Sequence, residues 1–121
     1  MKNEFSFEKL IVWQESKQLV KIIYELTTVY PDEERYGLIS QIRRAAISVP
    51  SNIAEGSGRL SPKEKIRFLE IAYGSLMEVY CQLSISVDLN YISKDHFENL
   101  AEFIYNISTK LNALKRSFES K

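Results

Sequence analysis

The fold is decided by residues 36–57, which read YGLISQIRRAAISVPSNIAEGS. Apolar or small residues recur in this stretch at spacings of three or four: Leu38, Ile42, Ala45, Val49, Ile53 and Gly56. That spacing places them on one face of a helix, which predicts an amphipathic α-helix with a buried stripe. Pro50 lies inside the stretch and leaves the carbonyl of Ala46 without its usual amide partner. Because the periodicity continues beyond Pro50, we predict a kinked helix rather than two separate helices.

Three further segments show the same spacing. The predicted helices span, in chain order, about residues 7–30, 36–57, 62–89 and 94–118. The core stripe of the first helix is predicted to contain Val12, Ser16, Leu19, Ile23, Leu26 and Tyr30. The stripe of the third helix is predicted to contain Ile66, Leu69, Tyr73, Leu76, Tyr80, Leu83 and Val87. The stripe of the fourth helix is predicted to contain Phe97, Leu100, Ile104, Ile107, Leu111, Leu114 and Phe118.

Local signals mark where three of these helices begin. Residues 61–64, SPKE, have the capping-box pattern with proline at the first helical position. Ser93 is the predicted N-cap of the fourth helix. Ser6, with Phe5 before it and Leu10 after it, predicts an N-cap and a hydrophobic staple for the first helix.

The composition of the chain favours a helical protein. Its 121 residues include only four glycines and three prolines, too few turn residues for an all-β sandwich or barrel. Four amphipathic helices with short connections predict an all-α fold, a single domain over residues 1–121 built as an antiparallel up-down-up-down four-helix bundle. The sequence contains no stretch long and apolar enough for a membrane span or a signal peptide. We expect a cytoplasmic protein with no membrane partner, and the single cysteine, Cys81, fits a reducing compartment.

The sequence carries little catalytic chemistry. It has one histidine, His96, predicted to be exposed, and no cysteine cluster that could hold zinc. Cys81 lies in an apolar helical stretch and is predicted to be a buried, inert thiol. The run Gly56-Ser57-Gly58 lacks the third glycine and the lysine of phosphate-binding loops, and we predict that it ends a helix. We therefore expect no enzymatic activity, no catalytic residue, no metal and no cofactor.

The first and third predicted helices carry more apolar residues than one core stripe needs. On a helical wheel the apolar positions of the first helix spread over about 200°, whereas a core-facing stripe covers little more than about 100°. Excess apolar surface is typical of a protein interface, which predicts a homo-oligomer. The candidate interface residues are Ile11, Trp13, Ile22, Phe68, Ile71 and Met77. The alternative is a broad core stripe with scattered exposed aliphatic side chains.

The net charge of zero hides a polarised distribution. Residues 35–67 carry seven basic and two acidic side chains, a net of +5, whereas residues 68–107 carry one basic and six acidic, a net of −5. A positive segment of this kind suits the phosphates of a nucleic acid. The candidate nucleic-acid-binding residues are Arg43, Arg44, Arg59, Lys63, Lys65 and Arg67. The alternative is charge pairing, with Glu55 and Arg59 at helical i, i+4 spacing and Arg44 facing an acidic neighbouring subunit.

Several unusual motifs coincide in this chain. They are Gln41-Ile42-Arg43-Arg44-Ala45-Ala46, the in-helix Pro50, Asn52-Ile53-Ala54-Glu55-Gly56, the opening Phe7-Glu8-Lys9-Leu10 with Val12-Trp13, and Phe68-Leu69-Glu70-Ile71-Ala72 with Gly74-Ser75-Leu76. Over about residues 5–92, the sequence closely resembles the four-helix-bundle family encoded by intervening sequences in bacterial 23S ribosomal RNA genes. The remaining predicted helix is similar to that family only in its general character.

This resemblance implies a four-helix bundle that assembles as a ring, typically a homopentamer, without enzymatic activity. It also implies a distant similarity to the accessory variability protein of diversity-generating retroelements, a basic pentameric barrel that binds nucleic acid and a reverse transcriptase. A reverse-transcriptase-like protein is therefore a candidate partner. The resemblance carries over Arg43, Arg44 and Arg59 as candidate contacts, whereas Lys63 and its neighbours come from charge placement alone.

Two functional hypotheses follow. The first is a non-enzymatic oligomeric scaffold that binds structured RNA, another nucleic acid or a nucleic-acid enzyme through a basic face. The second is a purely structural or protein-binding ring, in which the arginines pair between subunits. Because the chain is neutral, unlike its strongly basic relatives, RNA binding would have to use the basic segment as concentrated by ring symmetry.

Overall fold

The computed structural model describes residues 3–119, which contain four α-helices, two short 3₁₀-helices and no β-strand. The 3₁₀-helices are Ser6–Lys9 and Asp32–Glu34. The α-helices are α1 (Ile11–Thr27), α2 (Leu38–Ser57), α3 (Pro62–Asp88) and α4 (Lys94–Glu119). The prediction of an all-α protein with four helices is confirmed. None of these helices is long and apolar enough to cross a membrane.

The start of α1 differs from the sequence prediction. Ser6 begins the first 3₁₀-helix and does not cap α1, which starts only after an extended Leu10. Glu8 determines this arrangement, because its Oε1 accepts a hydrogen bond from the amide of Phe5 at 3.0 Å. Phe5 is 74% exposed, so the predicted hydrophobic staple is absent. Phe7 instead packs edge-on against the ring of Trp13, with centroids 5.0 Å apart.

The α2 helix follows its sequence pattern closely and continues through Pro50. The predicted stripe is buried from Ile42 to Gly56, and Pro50 is buried with it. Asn52 Nδ2 donates to the carbonyl of Ser48 at 2.8 Å and to its Oγ at 2.9 Å. The side-chain amide of Asn52 therefore gives a backbone carbonyl near the proline a hydrogen-bond partner. The kink at Pro50 stays a prediction.

The predicted helix starts at Ser61 and Ser93 are confirmed. The Oγ of Ser61 accepts a hydrogen bond from the amide of Glu64 at 3.1 Å, and Pro62 is the first residue of α3. The Oγ of Ser93 accepts from the amide of His96 at 3.0 Å, immediately before α4. Both hydroxyls satisfy an amide that has no partner within its helix.

The buried face of α3 is rotated relative to the predicted stripe. Phe68 and Val79, which the periodicity left outside the core, are 7% and 0% exposed. Tyr80, predicted to lie in the core, is 41% exposed. Apolar residues occur on several sides of α3, so its sequence alone does not define one inward face and the neighbouring helices decide which side is buried.

The partner that sets this rotation is α2, through Gly56. A Cβ atom at Gly56 would lie 2.9 Å from the Cβ of Phe68, so the two helices approach where only glycine fits. In the sequence, Gly74 beside Ala72 and Ser75 suggests a close approach by another helix. Within residues 3–119 that prediction is wrong, because a Cβ at Gly74 would meet nothing within 4 Å.

The four helices pack in cyclic order around one core. Contacts join α1 to α2, α2 to α3, α3 to α4 and α4 back to α1. Polar contacts cross between neighbouring helices: Arg43 with Thr27 at 2.9 Å, Gln82 with Gln41 at 3.4 Å, Lys115 with Glu70 at 3.1 Å, and Lys110 with Glu15 at 2.8 Å. This order puts the side formed by α1 and α2 opposite the side formed by α3 and α4.

A tyrosine pair ties the two connections at one end of the molecule together. Tyr91, just after α3, donates from its Oη to Oε2 of Glu34 at 2.9 Å, and its ring lies 5.1 Å from that of Tyr30. The hydrogen bond to Glu34 raises the pKa of Tyr91 above its usual 10.0. Burial raises the pKa of Tyr30 in the same direction. Both phenols are therefore held in the protonated form by the folded chain.

The Gly56→Ala substitution should lower the free energy of unfolding, because overpacking a core costs roughly 1–3 kcal/mol. Gly74→Ala is the matched control, since it makes the same change inside a helix with open space around it. It should raise the free energy of unfolding by roughly 0.5–1 kcal/mol, because alanine is the better helix former. Urea unfolding followed by circular dichroism measures both. A Gly56→Ala chain as stable as the wild type would contradict the close approach.

Stability should fall as the pH rises above about 10. A folded-state pKa above the unfolded value gives a contribution that is complete below the unfolded pKa and is lost as pH rises through the folded one. The stability difference between wild type and Tyr91→Phe should therefore shrink in strongly alkaline solution. Tyr36→Phe, whose side chain is 90% exposed, is the control. Urea unfolding at several pH values measures this difference in the free energy of unfolding. A difference between wild type and Tyr91→Phe that stays constant with pH would refute the raised pKa of Tyr91.

Candidate nucleic-acid interface

The six predicted nucleic-acid-binding residues do not form one patch. Arg43 and Arg44 lie near the start of α2, whereas Arg59 follows its end. With a rise of 1.5 Å per residue, Arg44 is about 20 Å from Ser57, the last residue of the helix. The other three lie in the first two turns of α3, beside Arg59. We call the second group the α2–α3 corner, which consists of Arg59, Lys63, Lys65 and Arg67.

Arg43 is turned towards α1 and is half-buried. Its Nε donates to Oγ1 of Thr27 at 2.9 Å, and its Nη2 donates to the carbonyl of Tyr24 at 3.3 Å. The guanidinium also lies over the Tyr24 ring, 4.4 Å from its centroid. These contacts join α1 to α2, so Arg43 stabilises the bundle and presents few free donors to a phosphate.

Arg44, one residue later, points to a different side of α2. It is exposed and makes no hydrogen bond or ion pair within the described part of the chain. It borders a polar depression between α2 and α3 that Glu78 also lines. The hydroxyls of Ser48 and Ser75 meet there at 2.7 Å. Arg44 is thus a free cation beside an acidic residue, which suits a contact with another molecule.

At the α2–α3 corner, two guanidinium groups lie against one aromatic ring. Arg59 is 4.6 Å and Arg67 is 5.6 Å from the centroid of the Phe68 ring. Arg59 also pairs with Glu55 at 3.0 Å, as predicted from their spacing, and Arg67 approaches Glu64 at 3.7 Å. The arginine side chains remain 44% and 63% exposed. Ion pairs this exposed contribute about 0–1 kcal/mol, so both cations can exchange these partners for a phosphate.

The two lysines of the α2–α3 corner differ in accessibility. Lys63 is exposed and makes no hydrogen bond or ion pair among residues 3–119. Lys65 is half-buried, and its Nζ donates to the carbonyl of Ser57 at 3.1 Å. Lys65 therefore mainly fixes the end of α2, and Lys63 is the more available of the two.

The charge of the corner is smaller than the sequence count suggests. Residues 55–67 carry four basic and two acidic side chains, a net of +2. The rest of the +5 comes from Arg43, Arg44 and Arg35. Arg35 pairs with Asp32 at 2.7 Å at the far end of α2. A count along the chain adds these charges together, although the fold separates them.

The sequence reasoning missed a cation at the same end of the bundle. Arg116 is exposed in the last turn of α4. Its neighbours Leu114 and Phe118 line, together with Gly56 and Lys65, a cavity of about 170 Å³ between the ends of the helices. The sequence alone does not place Arg116 beside this end of α2, because the end of α4 is far from it along the chain and close to it only in the fold.

No group of three histidine, cysteine or acidic side chains within residues 3–119 is arranged to hold a metal ion. His96 is exposed, as predicted. Cys81 is exposed too, so the prediction of a buried thiol is wrong. The reason is the rotation of α3, which turns this position away from the core.

The predicted interface residues are in three different environments. Ile11, Ile71 and Met77 are 62%, 40% and 37% exposed. Trp13 and Ile22 pack partly against the core. Phe68 is 7% exposed and packs against Gly56, so little of its side chain is available for contact with another copy. A large exposed aromatic, Tyr105, was missed, although its off-stripe position on the fourth helix was visible in the sequence.

Comparisons with known proteins agree with this architecture. A family model described as 23S rRNA-intervening sequence protein matches residues 8–113. The chain is also similar to a crystal structure of a protein with unknown function from the S23 ribosomal protein family of Bacteroides thetaiotaomicron VPI-5482, with a TM-score of 0.79 and 23% identity. The match covers 87% of this chain and 98% of that chain, and it shows a shared fold. No curated protein gives a significant sequence match.

Arg43→Met and Arg44→Met should separate the roles of the two adjacent arginines. Arg43→Met removes the contacts with Thr27 and Tyr24 and should lower the free energy of unfolding by about 1 kcal/mol. Arg44→Met should change it by less than about 0.5 kcal/mol, as expected for an exposed side chain without partners. Urea unfolding of both variants at the same protein concentration is the measurement. Equal effects would argue against an anchoring role for Arg43.

Proposed function

Because the chain belongs to the 23S rRNA-intervening sequence protein family, we propose that it is a non-enzymatic cytoplasmic scaffold that binds structured RNA through the α2–α3 corner. The observation that carries the proposal is the pair of guanidinium groups, Arg59 and Arg67, against the Phe68 ring. The ring orients both planar cations while leaving them accessible. Lys63 adds an exposed charge beside them.

The backbone at the α2–α3 corner supports the same interaction. The N-terminus of α3, a helix of 27 residues, lies there and carries the positive end of its helix dipole. Hydrogen bonds fix the turn at both of its ends. The amide of Arg59 donates to the carbonyl of Gly56 at 3.1 Å, and the side chain of Ser61 caps the start of α3. The cations are therefore presented by an ordered turn rather than by a loose loop.

We infer that the four helices run up-down-up-down, so that every copy presents its corner at one end of the bundle. The crossing contacts support this arrangement: the end of α2 meets the start of α3 at Gly56 and Phe68, and the end of α3 meets the start of α2 at Gln82 and Gln41. In a ring-shaped homopentamer, as the family resemblance implies, five corners of +2 would place about +10 on one rim. A field of that size attracts RNA even to a neutral chain.

A second candidate function has a specific observation in its favour. Arg44 is free and borders a depression lined by Glu78. In this alternative the ring is purely structural or binds proteins, such as a reverse-transcriptase-like enzyme, and Arg44 pairs with a carboxylate of a neighbouring subunit. Arg44→Glu would then disturb assembly of the ring and would have no effect on RNA binding.

The test compares two variants that lose the same charge. Lys63→Gln/Arg67→Gln changes the corner, and Arg35→Gln/Lys94→Gln removes two exposed cations at the other end of the bundle. The corner variant should weaken binding of a labelled structured RNA and make the slope of log K against log salt shallower by roughly 1.5, from two phosphate contacts. The control variant should bind like the wild type.

Fluorescence anisotropy at several salt concentrations measures the binding, and light scattering on the same samples reports the mass. Absence of RNA binding by the wild type at low salt would refute the proposal. Equal weakening in both variants would mean that the charge acts without regard to position, which would also refute a defined site at the corner. A variant of unchanged mass that has lost affinity would support it.

A further inference from the structure

The groove between α3 and α4 is an aromatic surface without a partner in the described chain. Tyr73, Met77, Tyr80 and Tyr105 line it, and we call these four residues the α3–α4 groove. Met77, Tyr80 and Tyr105 are 37%, 41% and 70% exposed. Tyrosine and methionine are enriched in the buried centres of protein interfaces. Tyr80 is held in place by the Phe97 ring, 5.4 Å away, so the groove is already formed.

The rim of the α3–α4 groove is acidic. Glu102 lines the groove, and Glu98 is one turn earlier on α4. Both carboxylates are exposed, and neither forms an ion pair within residues 3–119. An occupant of the groove therefore needs an apolar centre with basic groups around it.

The opposite side of the same molecule has those properties. We define the α1–α2 face as Lys17, Lys21, Tyr24, Arg43 and Ile47. Tyr24 and Ile47 are 38% and 42% exposed and form its apolar part. Arg43 lies over the Tyr24 ring, and Lys21 is exposed without an ion pair in the described chain. Ile47 is one helical turn after Arg43, so the two share a side of α2.

We infer that the α3–α4 groove of one copy docks the α1–α2 face of a second copy. This inference rests on the ring that is part of the proposed function, and names the two surfaces that would build it. The cyclic helix order puts the two surfaces on opposite sides, so each copy can offer both at once. Such a heterologous contact repeats from copy to copy and closes a ring when the rotation allows it.

Charge argues against the simplest alternative, a symmetric contact of groove with groove. That arrangement would place Glu98 and Glu102 against the same two carboxylates of the partner, and the like charges would repel. Contact between the acidic groove and the basic face replaces that repulsion by attraction. The α2–α3 corner belongs to neither surface, so assembly leaves it open to RNA.

Two charge-reversal variants and their mixture test the inference. Glu98→Lys/Glu102→Lys makes the groove basic, and Lys17→Glu/Lys21→Glu makes the α1–α2 face acidic. Alone, each variant has two surfaces of like sign, and its mass by light scattering should fall towards that of one chain, 14.1 kDa. In an equimolar mixture each reversed surface meets its complement on the other variant, so the mass should rise well above 14.1 kDa, although strict alternation of the two variants closes only rings with an even number of copies.

Glu33→Lys/Asp88→Lys is the control, because it reverses two exposed carboxylates outside both surfaces. It should keep the wild-type mass, and circular dichroism verifies that every variant is folded. A monomeric wild type would refute the ring and this inference together, whereas RNA binding at the corner is measured separately by fluorescence anisotropy. An oligomeric wild type whose variants keep their mass, or whose mixture fails to recover, would overturn the paired surfaces alone.

Discussion

The close approach of α2 and α3 at Gly56 is the constraint on which the rest of the molecule depends. It places Phe68 between the two helices, and the guanidinium groups of Arg59 and Arg67 then lie over its ring. The same approach turns α3 about its axis, so that Tyr80 faces outwards and lines the α3–α4 groove. The candidate RNA site and the candidate assembly surface are thus two results of one packing contact.

The neighbouring residues Arg43 and Arg44 on α2 lie in different environments. A rotation of 100° per residue sends Arg43 towards α1 and leaves Arg44 in solvent. Arg43 uses its donors on Thr27 and on the carbonyl of Tyr24, where it fixes one helix against another. On the proposed function, phosphate binding belongs to the α2–α3 corner, where Arg59, Lys63 and Arg67 are exposed cations on an ordered turn.

The sequence predicts the parts of this structure that depend on local patterns. The stripe of α2 and the caps at Ser61 and Ser93 follow from spacing and side-chain chemistry, and they are confirmed. The buried face of α3 could not be predicted, because its apolar residues occur on several sides and the neighbouring helices decide which side is buried. The choice between Gly56 and Gly74 as the point of close approach is equally non-local. Charge counts fail for a related reason, since they cannot show how the fold separates cations that are close in sequence.

On the proposed function, RNA affinity is a property of the assembly more than of the single chain. One corner of +2, partly paired with Glu55 and Glu64, is screened within about 8 Å at physiological salt. Repetition around a ring converts the second and later contacts into intramolecular events, and affinity then rises without any new residue. This effect requires phosphates spaced like the corners, which a folded RNA holds in fixed positions and a flexible strand does not. A neutral chain can therefore select structured RNA by geometry, where a strongly basic one would bind any polyanion.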